Sequence, residues 1–262
     1  MTLAPTGRQR FAAAMNLILL EPEELQPDGT AVLTDARARH VREVLRAAPG
    51  EQIRAGVVDG ALGVASVLES GRQLRLQFEA TAERPPRPPV DLLLALPRPK
   101  VLNRLWSVVA SLGVGRILIS NAWKTERNYF DTHVLEPAHI RKELLAGLQQ
   151  ARDTRLPIVS VHRQFKKLVE DELDGFGPYA ARLVGHPGAG AFPRGRLAGL
   201  PRDARVLVAV GPEGGWTPYE LELLQSRGFE AVSWGPRILR ADTACVALLS
   251  LVGAARREAP QG

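Results

Sequence analysis

The sequence predicts an α/β protein in two parts: a small β-rich domain over residues 1–80, a proline-rich connector over 81–89, and a parallel-sheet α/β domain over 90–262. Three observations carry this. The stretch "TAERPPRPPV" places four prolines in five positions, where neither a helix nor a central strand persists and a stiff extended linker does. Ahead of it, "GEQIRAGVVDGALGVASVLESGRQLRLQFEA" breaks into short β-type runs at Gly, Asp-Gly and Ser-Gly signals, with one helical patch at "DARARHVREVLRA". Behind it the rhythm changes to strand, then helix, the signature of crossover units.

The elements of the second part follow in order. "VDLLLAL", "RILIS" and "PIVSV" read as strands, and "PKVLNRLWSVVASLG", "PAHIRKELLAGLQQARD" and "QFKKLVEDEL" as the helices between and after them. After Pro99, the residues Leu102, Leu105, Trp106, Val109 and Leu112 recur at helical spacing and are assigned to plain core packing. The strands are apolar on both faces, as strands covered by helices are.

At 262 residues, 45% apolar and 24% charged, the chain has the composition of an ordinary soluble protein with a sizeable aliphatic core. The single cysteine, Cys245, excludes an internal disulfide framework and a cysteine-rich metal site. The longest apolar run, "ACVALLSLVGAA", is too short for a bilayer span, and the first twenty residues lack a signal-peptide cleavage region. A cytoplasmic location and no metal are therefore expected. The net charge of +6 is largely an excess of arginine, whose planar fork suits phosphate. This favours a nucleic-acid partner, although codon bias produces the same excess.

The functional signal lies in "RVLVAVGPEGGWTPYELELL". Val206 to Val210 reads as a buried strand, and Thr217-Pro218-Tyr219-Glu220 as a helix start with Thr217 as N-cap and Glu220 closing a capping box. The glycines between them sit at the carboxyl end of a strand, the edge where open α/β sheets bind ligands. Gly211, Gly214 and Gly215 remove side chains that would keep a ligand off the backbone. A second Gly-Pro corner follows in "AVSWGPRILRADTACVALLSLV", and a third strand ends at Gly185 in "ARLVGHPGAG". "GAGAFP" is no dinucleotide fingerprint, because Pro193 takes the third glycine's place and "RGRLAGLPRD" does not open as a helix. Neither a Walker phosphate loop nor a GxSxG nucleophile turn occurs.

"GPEGGWTPYEL", followed by "WGPRILRADTA", resembles the bacterial family of 16S ribosomal RNA uridine-N3 methyltransferases, members of the trefoil-knotted SPOUT class. "HVREVLRAAPGEQIRAGVVDG" is similar to that family's N-terminal PUA-like RNA-binding domain. The resemblance implies a knotted C-terminal domain holding S-adenosylmethionine in three turns, and a homodimer with its active site at the subunit interface. It further implies 16S ribosomal RNA, or the assembled small subunit, as the partner. Carried over residue by residue, the cofactor turns are Gly185 and His186, then Val210, Gly211, Glu213, Gly214 and Gly215, then Trp234, Gly235, Ile238, Leu239 and Arg240. The chain departs from the family pattern at Asp242, at Ser111 and in "GLQQARDTRLP".

A sulfonium methyl is already activated, so the enzyme chiefly aligns donor and acceptor and excludes water. Uridine N3 must also lose a proton, which calls for a base or a cation that stabilises the uracil anion. Arg240 is the candidate cation, or else a helix-start or phosphate ion pair. Glu213 is the candidate base, or else orients ribose or backbone. For RNA, Arg8, Arg10, His40, Arg42 and Arg46 form a basic set, Arg42 and Arg46 on one helical face. Lys124 and Arg127 lie among the aromatics of "NAWKTERNYF". A related ribose methyltransferase and a noncatalytic RNA binder remain the alternatives. The final helix is apolar or small at almost every position from Ala244 to Ala255, which predicts burial on more than one side; the resemblance implies that a second subunit covers one of them, with Leu249 or Val252 facing it.

Overall fold

The computed structural model describes residues 17–258. The described chain forms two compact units, one taking the residues up to Pro86 together with Leu148–Leu156, the other Arg87–Gly147 and everything from Pro157 onward.

The first unit contains β1 (Ile18–Leu20), β2 (Thr30–Leu33), β3 (Gln52–Val57), β4 (Leu62–Ser70) and β5 (Leu74–Ala82), in the order β1-β3-β4-β5-β2. The β1–β3 pair is parallel and the rest antiparallel. Alternation explains the sheet: Leu74, Leu76 and Phe78 of β5 turn inward onto Ile53, Val67, Leu20 and Leu33, while Arg75 and Glu79 face water. Register shifts along β4 and β5 help curl the sheet. The Asp-Gly signal forms the β3–β4 turn, with Asp59 at φ 52°.

The helical patch becomes α1 (Ala36–His40), capped by the Asp35 carboxylate, which accepts from the Arg37 N–H at 2.9 Å. It continues as a π-helical turn over Val41–Leu45 and stops where Arg46 takes a left-handed conformation, φ 52°. Arg46 therefore does not continue the helical face of Arg42, as the i,i+4 spacing suggested. "QQARD" also has a local role. The Leu17 N–H donates to Gln149 O (3.0 Å), the Asp59 N–H donates to Thr154 O (2.7 Å), and Arg155 pairs with Asp59 (2.9 Å). A division into contiguous domains does not contain this excursion.

The second unit is a six-stranded, all-parallel sheet of β6 (Val90–Ala95), β7 (Arg116–Ser120), β8 (Ile158–His162), β9 (Ala181–Ala191), β10 (Val206–Val210) and β11 (Phe229–Ser233). Its order is β11-β9-β10-β6-β7-β8. The chain starts mid-sheet at β6, moves outward to β8, re-enters at β9 and then lays β10 between β9 and β6. The order thus reverses between β6 and β10, at the switch point where such sheets open a crevice. Every residue of β6 and β10 is buried, which explains why all but one of them are apolar. The one charge among them, Asp91, has no exposed surface; it accepts from Tyr179 Oη (2.9 Å) and pairs with the Arg205 guanidinium.

The helices are α2 (Pro99–Ser111), α3 (Pro137–Ala151), α4 (Phe165–Lys167, continued by a π-helical turn to Glu172), α5 (Arg194–Ala198), α6 (Pro218–Ser226) and α7 (Ala241–Arg257). On one side of the sheet Leu93, Leu118, Val184 and Leu207 pack with Phe165, Leu168, Trp216 and Leu224. α7 packs against α2, α5, β6 and β10. Leu102, Leu105, Trp106 and Val109 of α2 are buried as core, whereas Leu112, expected with them, is the C-cap of the helix and exposed; the Trp106 indole N–H donates to Val134 O (3.2 Å). No helix among the described residues is long and apolar enough to cross a membrane.

Three sequence expectations are corrected here. β9 does not end at Gly185 but runs to Ala191. Its pairing with β11 jumps from Val184 to Gly190, so the residues between them bulge out of the ladder. "RGRLAGLPRD" does open as a helix, the short α5. α7 is also not uniformly buried: Leu249 (4% exposed) and Val252 (0%) belong to the chain's own core, whereas Val246 and Ser250 face outward.

Cys245 of α7 is fully buried, and desolvation, helped by the charge of Asp242, pushes its thiol up to about 12. The native protein should resist iodoacetamide at mildly alkaline pH and label fully only in denaturing guanidinium, as intact mass will show. Rapid labelling of the folded protein would contradict the burial of α7.

Candidate functional site

The loop after β10 is built on its own helix start. Thr217 is the N-cap of α6, and Pro218 takes the first helical position. The Glu220 carboxylate accepts from the Thr217 N–H and Oγ1, both at 2.8 Å, while the Glu220 N–H donates to Thr217 Oγ1 at 3.3 Å. Glu220 is 3% exposed, and its second oxygen accepts from the Trp123 N–H at 2.7 Å. Lys124 Nζ donates to Gly214 O at 2.7 Å. The segment after β7 and the glycine loop after β10 are therefore tied together twice at the sheet's carboxyl edge. Gly211 lies against the Trp216 indole, where a Cβ would stand 3.2 Å from Nε1. That ring in turn packs on Phe165, their centroids 5.5 Å apart.

Above the glycine loop is a cleft of about 350 Å³, within the range of ~300–1,000 Å³ that small ligands occupy. Its walls are the β9 bulge (Gly185, His186, Pro187), the glycine loop with the last residue of β10 (Val210 to Trp216), the end of β11 (Val232, Ser233) and the turn after it (Trp234, Arg237, Ile238, Leu239), and Ala241, Ala244 and Leu248 of α7. Gly215 holds φ +68°, and a Cβ there would project into open space, a geometry that favours glycine. Ile238 is 82% exposed at the rim. An isoleucine so uncovered on a cleft wall leaves apolar area for a flat ligand. A contiguous cleft shares Glu213, Ile238, Leu239 and Ala241 and adds Arg98, Val101, Arg104, Arg240 and Asp242.

Ten of the cofactor positions read from the sequence converge on the first cleft: Gly185, His186, Val210, Gly211, Glu213, Gly214, Gly215, Trp234, Ile238 and Leu239. Two do not line it. Gly235 shapes the turn, its N–H donating to Ser233 Oγ (3.1 Å) and its carbonyl accepting from the same hydroxyl (2.8 Å). Arg240 is the N-cap of α7 and faces the arginine-lined cleft. Glu213 has a structural partner, since Oε1 accepts from the Arg98 N–H at the start of α2 (3.0 Å). Arg104 pairs with Asp242 at 3.3 Å, so the aspartate at this position steadies a rim arginine. Ser111 donates to Val108 O within α2 (2.8 Å).

The basic candidates are dispersed. Lys124 is committed to Gly214, while Arg127 stands exposed at the start of a short 3₁₀ turn. His40, Arg42 and Arg46 lie in the first unit, where Arg42 donates to Gly71 O (2.9 Å). Arg8 and Arg10 lie outside the described residues. Sequence reading missed Trp216, Ser233, Arg237, Ala244 and Leu248. The two α7 residues were legible only as an i,i+4 pair on an apolar helix, a pattern that reads as core. Among the described residues no cluster of His, Cys, Asp and Glu could hold a metal.

Residues 83–253 match the model of the RNA methyltransferase domain family. The chain is 31% identical over 259 residues to the ribosomal RNA small subunit methyltransferase E of Treponema pallidum, covering 94% of this chain and 95% of that protein. It is 29% identical over 245 residues to the protein of the same name from Mycobacterium bovis, covering 91% and 92%. The fold matches the crystal structure of the Neisseria gonorrhoeae ribosomal RNA small subunit methyltransferase E bound to S-adenosyl methionine. The TM-score is 0.72 at 22% identity, over 92% of this chain and 98% of that one.

Glu220→Ala should destabilise the protein by about 2–3 kcal/mol, through loss of the cap and orphaning of the Trp123 N–H. It should also loosen the glycine loop, so that calorimetry finds weakened binding of S-adenosylmethionine. Wild-type stability in urea denaturation would remove Glu220 from this role.

Proposed function

Because the chain belongs to the ribosomal RNA small subunit methyltransferase E family, we propose that it transfers the methyl group of S-adenosylmethionine to N3 of a uridine in 16S ribosomal RNA. The observation that carries this reading is the glycine-walled, largely apolar cleft at the carboxyl ends of β9, β10 and β11, contiguous with an arginine-lined one. The residues present fit the cofactor: Ile238 and Leu239 offer a flat apolar wall for adenine, and Gly215 leaves the backbone open beside it. Bound there, the cofactor supplies an electrophilic methyl on a sulfonium. The return of α7 to β6 and β10 supports a chain end threaded as in the knotted class.

Within this reading, N3 gives its proton to solvent water, and Arg240 stabilises the uracil anion that then attacks the methyl group, a role suited to an exposed guanidinium in the acceptor cleft. Glu213 serves chiefly to hold the glycine loop to the start of α2. Arg98 and Arg104 line the acceptor cleft as phosphate ligands. The first unit adds further contacts to RNA through His40, Arg42 and Arg46. Small ribosomal subunits incubated with labelled cofactor should yield 3-methyluridine on nucleoside analysis. Arg240→Gln should lower kcat about 10²-fold, as removal of one stabilising donor does, while leaving cofactor affinity intact. Label found only on ribose oxygen, or none at all, would overturn the assignment.

Two copies pair in this reading through the outward stripe of α7. Thr243, Val246 and Ser250 there are small or apolar yet exposed, on the same helix whose inner side lines the cleft. Val246→Arg, rather than a change at the internally buried Leu249 or Val252, should therefore give a folded monomer with impaired cofactor binding. Sedimentation of the wild type as a monomer at micromolar concentration would refute the pairing.

A further inference from the structure

We propose that Trp123 is a positioning residue on which an unpaired base beside the acceptor uridine stacks; this rests on the RNA-methyltransferase reading above. Trp123 is 84% exposed, an unusual state for the largest apolar side chain. The loop that carries it is fixed. Its own N–H is held by Glu220 (2.7 Å), and the Asn121 N–H donates to His162 O (3.1 Å). The Thr125 side chain is buried and donates to Leu96 O (3.2 Å), and its N–H donates to Ala122 O (3.0 Å). The indole is thus displayed from a backbone anchored on both sides of it.

Position and chemistry select the partner. The next residue, Lys124, reaches Gly214 O of the cofactor cleft (2.7 Å), so the segment that displays the indole abuts the glycine loop of the site. Arg127 follows, exposed, and the contiguous cleft carries three arginines. An exposed aromatic among cations beside a methyl-transfer site suits single-stranded nucleic acid, whose phosphates meet the cations and whose bases each present a π-face. N3 lies on the edge of uracil that base pairing occupies. A base modified there must leave its helix, and a stacking surface offsets the lost stacking of the opened strand.

Trp123→Ala should raise KM for small ribosomal subunits roughly ten- to hundredfold, the loss of one base stack, with little change in kcat. Trp123→Phe should restore most of that loss. Hexauridylate should quench tryptophan fluorescence of the wild type, and most of the quench should vanish in Trp123→Phe. Unchanged KM in Trp123→Ala, with normal methylation by the wild type, would overturn the stacking role and leave the function standing. Loss of cofactor affinity or a change in sedimentation in Trp123→Ala would also overturn it, by assigning the indole to the cofactor or to a second copy. Trp123-dependent quenching in a wild type that methylates no ribosomal RNA would support stacking while the proposed function failed.

Discussion

The site depends on one buried carboxylate. Glu220 has both oxygens engaged, one closing the cap of α6 and the other holding the Trp123 N–H. A carboxylate with so little exposure is stable only when its acceptors are filled. Here the filling itself does the architectural work, because the donors come from loops after two different strands. The glycine loop after β10 and the segment after β7 are thereby held in one geometry, and the Lys124–Gly214 contact repeats the tie from the other side.

Around that tie the sheet supplies a rigid floor. β6 and β10 are buried on both faces, so the switch point between them is among the least deformable places in the unit. At the carboxyl ends of β9, β10 and β11, three loops and the start of α7 form the cleft, rich in glycine, proline and apolar side chains, with Glu213 and Arg237 among its walls. A largely apolar cleft beside an arginine-lined one suits a reaction whose donor is already activated: the donor site needs shape and dryness, and the neighbouring site needs positive charge for a polyanionic substrate. The pairing of Arg104 with Asp242, and of Glu213 with the Arg98 backbone, shows that the mouth is itself organised by hydrogen bonds.

The first unit follows a different logic. Its curled sheet encloses an aliphatic core of its own, and the excursion over 148–156 is fastened to the β3–β4 hairpin by backbone and side-chain bonds. The stretch thereby has a structural role. The π-turn and left-handed Arg46 that end the α1 segment redirect its basic residues, so spacing along the sequence is a poor guide to which of them share a surface.

Local rules made much of the protein legible from its sequence. Short apolar runs between turn signals marked the strands, apolar periodicity marked α2, the Thr217-Pro218-Tyr219-Glu220 string placed a helix start correctly to the residue, and the glycine-bearing turns pointed to the cleft. These features are determined by neighbours in the chain. What only the tertiary structure decided involves partners far apart in sequence: the second ligand of Glu220, the capture of Gly214 by Lys124, the bulge of β9 opposite β11, and the assignment of residues 148–156 to the first unit. α7 shows the limit most plainly. Its composition announces burial, but which side is buried depends on where α2, β6 and β10 lie, and that information is spread over the whole chain.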